Sequence, residues 1–310
     1  MVRMVSKDIV EKIVNKSLGG SVVRSIKPFS QGHINTMIEV TLMGTNKSLL
    51  LRIFNEPWKA RKEAFVYNYI RENVDIPVPE IYAFDDSMKL VPGAYLLMSK
   101  IEGISIDKNY RKYRNKKIFE KAGEVLAKLH SIKFDKYGWI VDNEIKPSFS
   151  KWNKFFEYDI GLKLSALRKV KLVSGLLDDL QSFIERHDYL LKVKSKPCLL
   201  HKDYHCPHII TDKGTIKGIV DVEWALAGHN ENDFMKMEEW AFRKFNDVRE
   251  PFFKGYLNYG TVSEEYPERK KLYELWHWIN MSNISFQLKD KRWLDYNTKA
   301  LKKFLKVNSK

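Results

Sequence analysis

Apolar and polar positions in the first hundred residues follow patterns that predict one early helix and a small sheet. Residues 6–19 carry apolar side chains at helical spacing, and the pattern ends at Gly19-Gly20. A second helix is expected at residues 59–71, before prolines at 77 and 79 exclude further helix. Strand-like runs cover residues 21–26, 37–42, 48–54, 80–84 and 94–100. We therefore expect a mostly antiparallel five-stranded sheet with helix.

Helical periodicity dominates the chain after residue 101. Helices are expected at residues 115–132, 152–170, 174–191, 234–245, 251–259, 268–288 and 293–305. Only residues 198–222 are expected to form strand and loop. The pattern predicts an α+β protein with two lobes, a small lobe at residues 1–100 and a large helical lobe at residues 101–310.

The strand-and-loop segment carries the residues with the clearest chemistry. Asp203 lies two residues after His201, His208 follows five residues later, and Asp221 ends an apolar run. A carboxylate at Asp203 is suited to orient an acceptor hydroxyl and take its proton. Asp221 offers the oxygen that magnesium prefers, whereas the imidazole of His208 is a softer ligand or bonds to backbone. Glu223 shares a face with Asp221 and either binds a second metal ion or neutralises nearby lysines.

This order of residues resembles the aminoglycoside phosphotransferase and choline kinase-like family, which has a protein-kinase-like fold. The loop of that family reads His-x-Asp-x-x-x-x-Asn, and His208 stands here in the place of the Asn. At this point the chain is similar to aminoglycoside 2''-phosphotransferases, which have His at that position and an Asn-Asp-Phe like residues 232–234. The resemblance implies that Asp203 is the catalytic base and that His208 and Asp221 hold the metal ion.

The same resemblance assigns supporting residues. His201 and Asp233 would brace the catalytic loop, and His205 either faces substrate or phosphate or is a packing residue. The family pairs a Lys on the third strand with a Glu on the next helix. Here Arg52 and Glu63 occupy those places, and the alternative is an exposed strand residue beside a helix-face charge.

The resemblance also locates a nucleotide site in the small lobe. The turn with Ser30 and Gly32 would cover the phosphates, although a single glycine is a weak signal. Backbone groups around Ser99 and Ile101 would meet the nucleobase. The apolar wall of that slot is expected from three residues that are more simply core: Ile53, Leu97 and Ile209.

Charge and composition limit the partners. The formal net charge is +15, but the lysines are dispersed and no RNA-binding motif is present, so nucleic acid is not favoured. No apolar run approaches the roughly 18 residues that span a bilayer, and no signal sequence begins the chain, so we expect a cytoplasmic protein.

The candidates for the acceptor site are an acidic cluster at residues 231–239, Trp240 and the aromatic stretch 276–286. The high positive charge argues against a polycationic substrate.

Together these observations predict a small-molecule kinase. It would transfer the γ-phosphate of ATP or GTP, bound with Mg²⁺, to a hydroxyl of a sugar, amino sugar or amino alcohol. The alternative is a non-catalytic nucleotide-binding regulatory protein, because Arg52 and His208 depart from the family pattern. A protein or RNA kinase is less favoured, because the segment between Asp221 and Asn232 is too short for an activation segment. The sequence does not define the oligomeric state.

Overall fold

Strand alternation in the small lobe builds a five-stranded antiparallel sheet, as the sequence predicted. The computed structural model describes residues 5–29, 36–45 and 47–308. The elements of this lobe are α1 (Lys7–Leu18), β1 (Val23–Pro28), β2 (Thr36–Leu42), β3 (Ser48–Phe54), α2 (Pro57–Asn73), β4 (Ile81–Asp85) and β5 (Ala94–Ser99). Their order across the sheet is β1-β2-β3-β5-β4.

The two faces of β3 have different neighbours. Leu49, Leu51 and Ile53 are buried against the apolar face of α1. Because successive strand residues point to opposite faces, Leu50 and Arg52 turn toward the second lobe. The alternation therefore delivers a buried arginine to the cleft between the lobes.

The second lobe is mostly helical but contains more strand than expected. Short helical turns join its elements at Asp188–Leu191, Cys206–His208, Asn230–Phe234 and Glu238–Phe242. None of the helices in the described residues is both long and apolar enough to cross a membrane. The elements are β6 (Ile104–Ser105), α3 (Ile106–Tyr113), α4 (Lys117–Leu129), β7 (Tyr137–Val141), β8 (Glu144–Phe149), α5 (Trp152–Leu167), α6 (Lys171–Ser174), α7 (Leu177–His187), β9 (Cys198–Leu200), β10 (Ile209–Asp212), β11 (Thr215–Ile219), β12 (Leu226–Gly228), α8 (Met235–Met237), α9 (Arg249–Leu257), α10 (Tyr266–Gln287) and α11 (Lys291–Asn308).

The expectation that only residues 198–222 form strand and loop was wrong. β7 and β8 form a hairpin, and β7 pairs with β12, which pairs with β9. β8 was not predicted because its residues lack clear alternation and include Pro147. Proline is tolerated on an edge strand such as this one. The helix expected at residues 234–245 is broken into short turns. The resulting four-stranded sheet leads the chain directly into His201.

Helices α4 and α9 pack with their backbones in contact beneath the catalytic loop. A Cβ atom at Gly123 would meet the Phe252 carbonyl oxygen at 2.0 Å, and one at Gly255 would meet the Glu120 carbonyl oxygen at 1.9 Å. Tyr204 donates its hydroxyl to the Ala122 carbonyl on α4 at 2.7 Å. The loop that contains Tyr204 is thus attached to this closely packed pair of helices.

Candidate active site

Two loops that follow short strands position Asp203 and Asp221, and Asp221 lines the cleft between the lobes. β9 ends just before His201, and β11 ends two residues before Asp221. His201 connects the loops: its Nε2–H donates to the Val220 carbonyl at 3.1 Å, and its Nδ1 accepts the Asp203 N–H at 3.3 Å. Burial lowers the pKa of His201, which suits a neutral ring with one donor and one acceptor. This geometry is the one that the predicted bracing role requires.

Asp233 holds the first loop from below. Its carboxylate accepts the N–H groups of His201 at 2.7 Å and Lys202 at 2.6 Å, and His130 Nε2 lies 3.1 Å away. Burial opposes ionisation of Asp233, but these donors offset it and hold the pKa of the carboxyl below its usual value. The expected buttress is therefore placed against the loop by two backbone hydrogen bonds.

Both loops contain a residue with left-handed backbone conformation. The φ angle is 63° at Lys202 and 67° at Asp221. Such a conformation costs a non-glycine residue roughly 1 kcal/mol or more, so neighbouring contacts must maintain it. The Asp221 N–H donates to the Tyr67 hydroxyl at 2.8 Å, and the Lys202 N–H is one of the two that Asp233 accepts.

His208 links the two aspartates. Its Nδ1–H donates to the Asp203 carbonyl oxygen at 2.9 Å, so in the neutral ring Nε2 carries the free lone pair. That Nε2 atom lies 3.6 Å from Asp221 Oδ2. A lone pair facing a carboxylate oxygen is favourable only with a cation between them or with a proton on the ring. The donor set of His208 and Asp221 therefore fits a divalent metal ion.

Arg52 gathers three carboxylates behind this pair. Its guanidinium lies 2.9 Å from Glu63, 3.2 Å from Asp221 and 2.9 Å from Glu223. Burial raises the pKa of Glu63 to about 8, and burial of Asp221 is offset by Arg52, which lowers the pKa of that carboxyl. Lys59 lies 3.7 Å from Glu223. This contact agrees with one of the two roles expected for Glu223, the neutralisation of nearby lysines.

A cavity of about 550 Å³ opens between the lobes above these residues. Its polar end contains Arg52, Glu63, His208 and Asp221, and its other end is bounded by the connection that contains Ser99 and Ile101. Its size is within the range of small-ligand sites. Ser30 and Gly32 lie outside the described residues.

The expected apolar wall of this cavity was assigned to the wrong residues. Ile53 and Leu97 belong to the core on the α1 side of the sheet, and Ile209 is buried in the core of the large lobe. The cavity is lined instead by Leu50, Met98 and Ile210. Met98 and Ile210 are each next in sequence to an expected residue, and Leu50 lies three residues before Ile53 on β3. Strand residues separated by an odd number of positions face opposite ways, so the cavity meets the other face of each strand.

Asp203 lies beyond His208 and is paired with cations. The Lys236 ammonium is 2.9 Å from Asp203 Oδ1, and His205 Nε2 is 3.6 Å from the same oxygen. Burial opposes ionisation, but Lys236 and the two histidines outweigh it and hold the pKa of Asp203 well below its usual value. Sequence reasoning missed Lys236, and its only signal was its position three residues after Asp233.

The acidic cluster at residues 231–239 does not form an open cationic-sugar site. Glu231 is buried against Arg269, Glu238 is paired with Arg249, and Glu239 is paired with Arg243. These carboxylates are neutralised within the large lobe. Trp278 is part of the core, whereas Trp276 lines a small second cavity together with Lys202 and Lys236. The surroundings of Asp203 are therefore basic and aromatic.

The bilobal fold with these paired loops defines a phosphotransferase of protein-kinase-like architecture. Residues 25–272 match the sequence model of the phosphotransferase enzyme family, and the chain belongs to that family. It is a phosphotransferase with an alcohol group as acceptor. The family membership predicted from the motifs is thus confirmed, as is the fold class.

Individual relatives extend this comparison. A Pasteurella multocida protein assigned as a ketoamine kinase is 28% identical over 84% of this chain and 87% of its own length. A Haemophilus somnus crystal structure, assigned as a fructosamine-3-kinase, is 21% identical with a TM-score of 0.73 and 96% coverage of both chains. The aminoglycoside phosphotransferase APH(4)-Ia, in a ternary complex with AMP-PNP and hygromycin B, is 14% identical with a TM-score of 0.73. It covers 96% of this chain and 98% of its own.

Proposed function

We propose that this phosphotransferase transfers the γ-phosphate of ATP or GTP to a hydroxyl of a ketoamine, a sugar linked to an amine. The observation that carries the proposal is the chain of contacts from Asp203 through His208 to Asp221 at the polar end of the interlobe cavity. The ketoamine acceptor is supported by the relative assigned as a ketoamine kinase, which matches most of the chain. The intact pair of aspartates favours catalysis over a purely regulatory nucleotide binder.

Each residue has a defined part in the transfer. Asp203 is ionised at neutral pH, so its carboxylate orients the acceptor O–H and receives the proton late in the reaction. The acceptor oxygen bonds to the γ-phosphorus while the bond from that phosphorus to the bridging oxygen breaks, and nucleoside diphosphate leaves. Arg52 is fixed by Glu63 and Glu223 at the phosphate end of the cavity. Held by His208 and Asp221, Mg²⁺ would neutralise charge on the phosphates.

The test is phosphate transfer by the purified protein with MgATP and MgGTP. The acceptors are a fructose-derived ketoamine, a ribose-derived ketoamine and an aminoglycoside. We expect turnover of a ketoamine, and a loss of about 10²–10⁴-fold in Asp203→Asn with nearly unchanged nucleotide binding by calorimetry. Asp75→Asn, an exposed loop residue, is the matched control and should retain activity.

The outcomes separate the parts of the proposal. Equal turnover by Asp203→Asn and the unmodified protein would remove Asp203 from its catalytic role. Turnover of the aminoglycoside without turnover of either ketoamine would show that the acceptor class is wrong while the kinase activity is right. Comparing the two nucleotides at equal concentration determines the phosphate donor.

A further inference from the structure

A row of alternating lysine and tryptophan side chains runs from α2 of the small lobe through the large lobe toward Asp203. The Lys62 ammonium lies 5.4 Å from the centre of the Trp139 ring, and Lys163 lies 5.6 Å from the same ring. Lys163 is also 5.8 Å from the Trp276 ring, which Lys202 approaches at 4.1 Å. Cations over aromatic faces are stabilised, and more so when they are desolvated. The row places three lysine side chains against aromatic rings; Lys62 is buried, and Lys163 and Lys202 are partly buried.

One carboxylate partly neutralises this row. Asp159 accepts the indole N–H groups of Trp139 at 3.0 Å and Trp276 at 2.7 Å, and it also pairs with Lys163. The contacts that the described residues give Lys202 Nζ are neutral: the Asn232 side-chain oxygen and the Trp276 ring. Burial lowers the pKa of Lys202 to about 8, so its ammonium still predominates at neutral pH. Asp233 and Asp159 favour the charged form of Lys202 from a distance, but neither carboxylate is among the contacts of its ammonium group.

A small cavity lies among these cations. Its volume is about 30 Å³, which holds roughly two water-sized groups. The polar residues that line it are Lys163, Lys202, Asn232, Lys236, His277 and Asn280. His277 is 8% exposed, and its Nε2 atom has no hydrogen-bond partner among the described residues. Since buried polar atoms are nearly always satisfied, this atom is available to a polar group in the cavity.

The cavity adjoins the reacting group of the enzyme. Lys236 lines the cavity, and its ammonium lies 2.9 Å from Asp203 Oδ1. Lys202 immediately precedes Asp203 in the chain. A group held in the cavity would therefore lie near the hydroxyl that Asp203 orients.

We propose that this cavity binds a carboxylate of the acceptor, so that the preferred acceptor is a ketoamine of an amino acid with a free carboxylate. This inference rests on the proposed ketoamine kinase function and specifies its substrate class. A carboxylate is a small anion that accepts hydrogen bonds at both oxygens, which suits a small cavity lined by three lysines. Lys202 donates a hydrogen bond to the carboxylate, and the opposite charges strengthen this bond. The neutral amide of the same acceptor lacks that added strength.

The test compares the fructose ketoamine of glycine with its carboxamide, which differ only in the charged group. We expect kcat/KM of the unmodified protein to favour the carboxylate by about tenfold or more, because hydrogen bonds to charged groups are the stronger ones. In Lys202→Met the preference should fall to about twofold or less, through a lower kcat/KM for the carboxylate alone. The exposed Lys196→Met carries the same loss of charge far from the cavity and should keep the original preference.

A second variant and a binding measurement make the result independent of folding and of turnover. Asn280→Asp adds a negative charge to the cavity lining and should reverse the preference toward the carboxamide. Calorimetric titration of both compounds without nucleotide should show tighter binding of the carboxylate, lost in Lys202→Met. If neither compound is phosphorylated but this difference in binding persists, the proposed reaction fails and the carboxylate site stands.

Three results would overturn the inference. One is equal kcat/KM and equal binding of the carboxylate and the carboxamide in the unmodified protein. Another is a preference that persists unchanged in both variants after thermal melting has verified that they fold. The third is stronger use of a phosphate-bearing ketoamine than of the carboxylate, which would make the cavity a phosphate site.

Discussion

The Nε2 atom of His208 lies 3.6 Å from Oδ2 of Asp221, and a hydrogen bond from Nδ1–H to the Asp203 carbonyl keeps the free lone pair on that side. Two proposed metal ligands, an oxygen and a nitrogen, are thus brought together from two separate loops. A nitrogen ligand would affect the choice of metal ion, since imidazole suits transition metals better than magnesium.

Replacing His208 by asparagine should change metal selectivity. Because the amide offers an oxygen, His208→Asn is expected to lower the affinity for Mn²⁺ relative to Mg²⁺ by about fivefold or more. Mn²⁺ binding can be followed by electron paramagnetic resonance with nucleotide present, and activity with each metal gives a second reading. His187→Asn, on α7, is the control and should leave both unchanged. An unaltered ratio in His208→Asn would mean that the imidazole does not contact the metal.

Asp233 should contribute strongly to stability. In Asp233→Ala the buried N–H groups of His201 and Lys202 lose their acceptor, so we expect the free energy of unfolding to fall by about 3–5 kcal/mol. Chemical denaturation measures this change. Asp75→Ala removes an exposed carboxyl and should change the unfolding free energy by no more than about 0.5 kcal/mol. Similar values for the two variants would be inconsistent with the buttressing role.

Lys62 should reduce stability at neutral pH. Burial lowers its pKa from 10.5 to about 7; Glu223 and Glu63 favour the charged form, and Lys59 opposes it. The unfolded chain therefore binds more protons than the folded one between these values, and this group makes the protein lose stability as pH falls through that window. Lys62→Met should raise the unfolding free energy by about 1 kcal/mol or more near pH 7, and by little above pH 10.5.

The measurement for this variant is denaturant unfolding across that pH range. The advantage of Lys62→Met over the unmodified protein should grow as pH falls and level off below about pH 7. Lys196→Met removes an exposed lysine and should show no such trend. A pH-independent difference for Lys62→Met would indicate that packing, not charge, distinguishes the two proteins.

Two glycines in helices should respond to alanine in opposite directions. Gly255→Ala places a Cβ atom 1.9 Å from the Glu120 carbonyl oxygen, so α4 and α9 must separate at a cost of about 3 kcal/mol or more. At Gly161, on α5, a Cβ atom meets nothing within 4 Å, and alanine should stabilise the helix by about 0.5–1 kcal/mol. Thermal melting of both variants checks the pair. A stable Gly255→Ala protein would contradict the backbone contact.

Local sequence patterns predicted the sheet of the small lobe and singled out the loops of the candidate site. The five strands of the small lobe follow alternating residues, and Asp203, His208 and Asp221 were recognisable from their order along one segment. Such signals depend on neighbours in the chain, so they survive without knowledge of tertiary contacts. Which face of a strand lines the cleft was not predicted correctly, because alternation alone does not distinguish the two faces.

Interactions between distant segments were not predictable in the same way. Glu231 and Glu238 looked like an open acidic cluster, but Arg269 and Arg249 reach them from other helices. Lys236 joins Asp203 across 33 residues, and the lysine–tryptophan row combines five separate elements. Charge pairing of this kind depends on the folded arrangement and leaves no periodic trace in the sequence.

The residue type at position 202 is unfavourable for the stability of the folded protein in two ways. Glycine would occupy φ = 63° without steric penalty, and by that measure it is the more stabilising residue there. The chain instead carries a long side chain whose ammonium is also desolvated. Lys202 therefore lowers stability twice, through its left-handed backbone conformation and through the lost hydration of its ammonium group. With the proposed carboxylate site, position 202 is therefore one where a more stable protein would bind its acceptor less selectively.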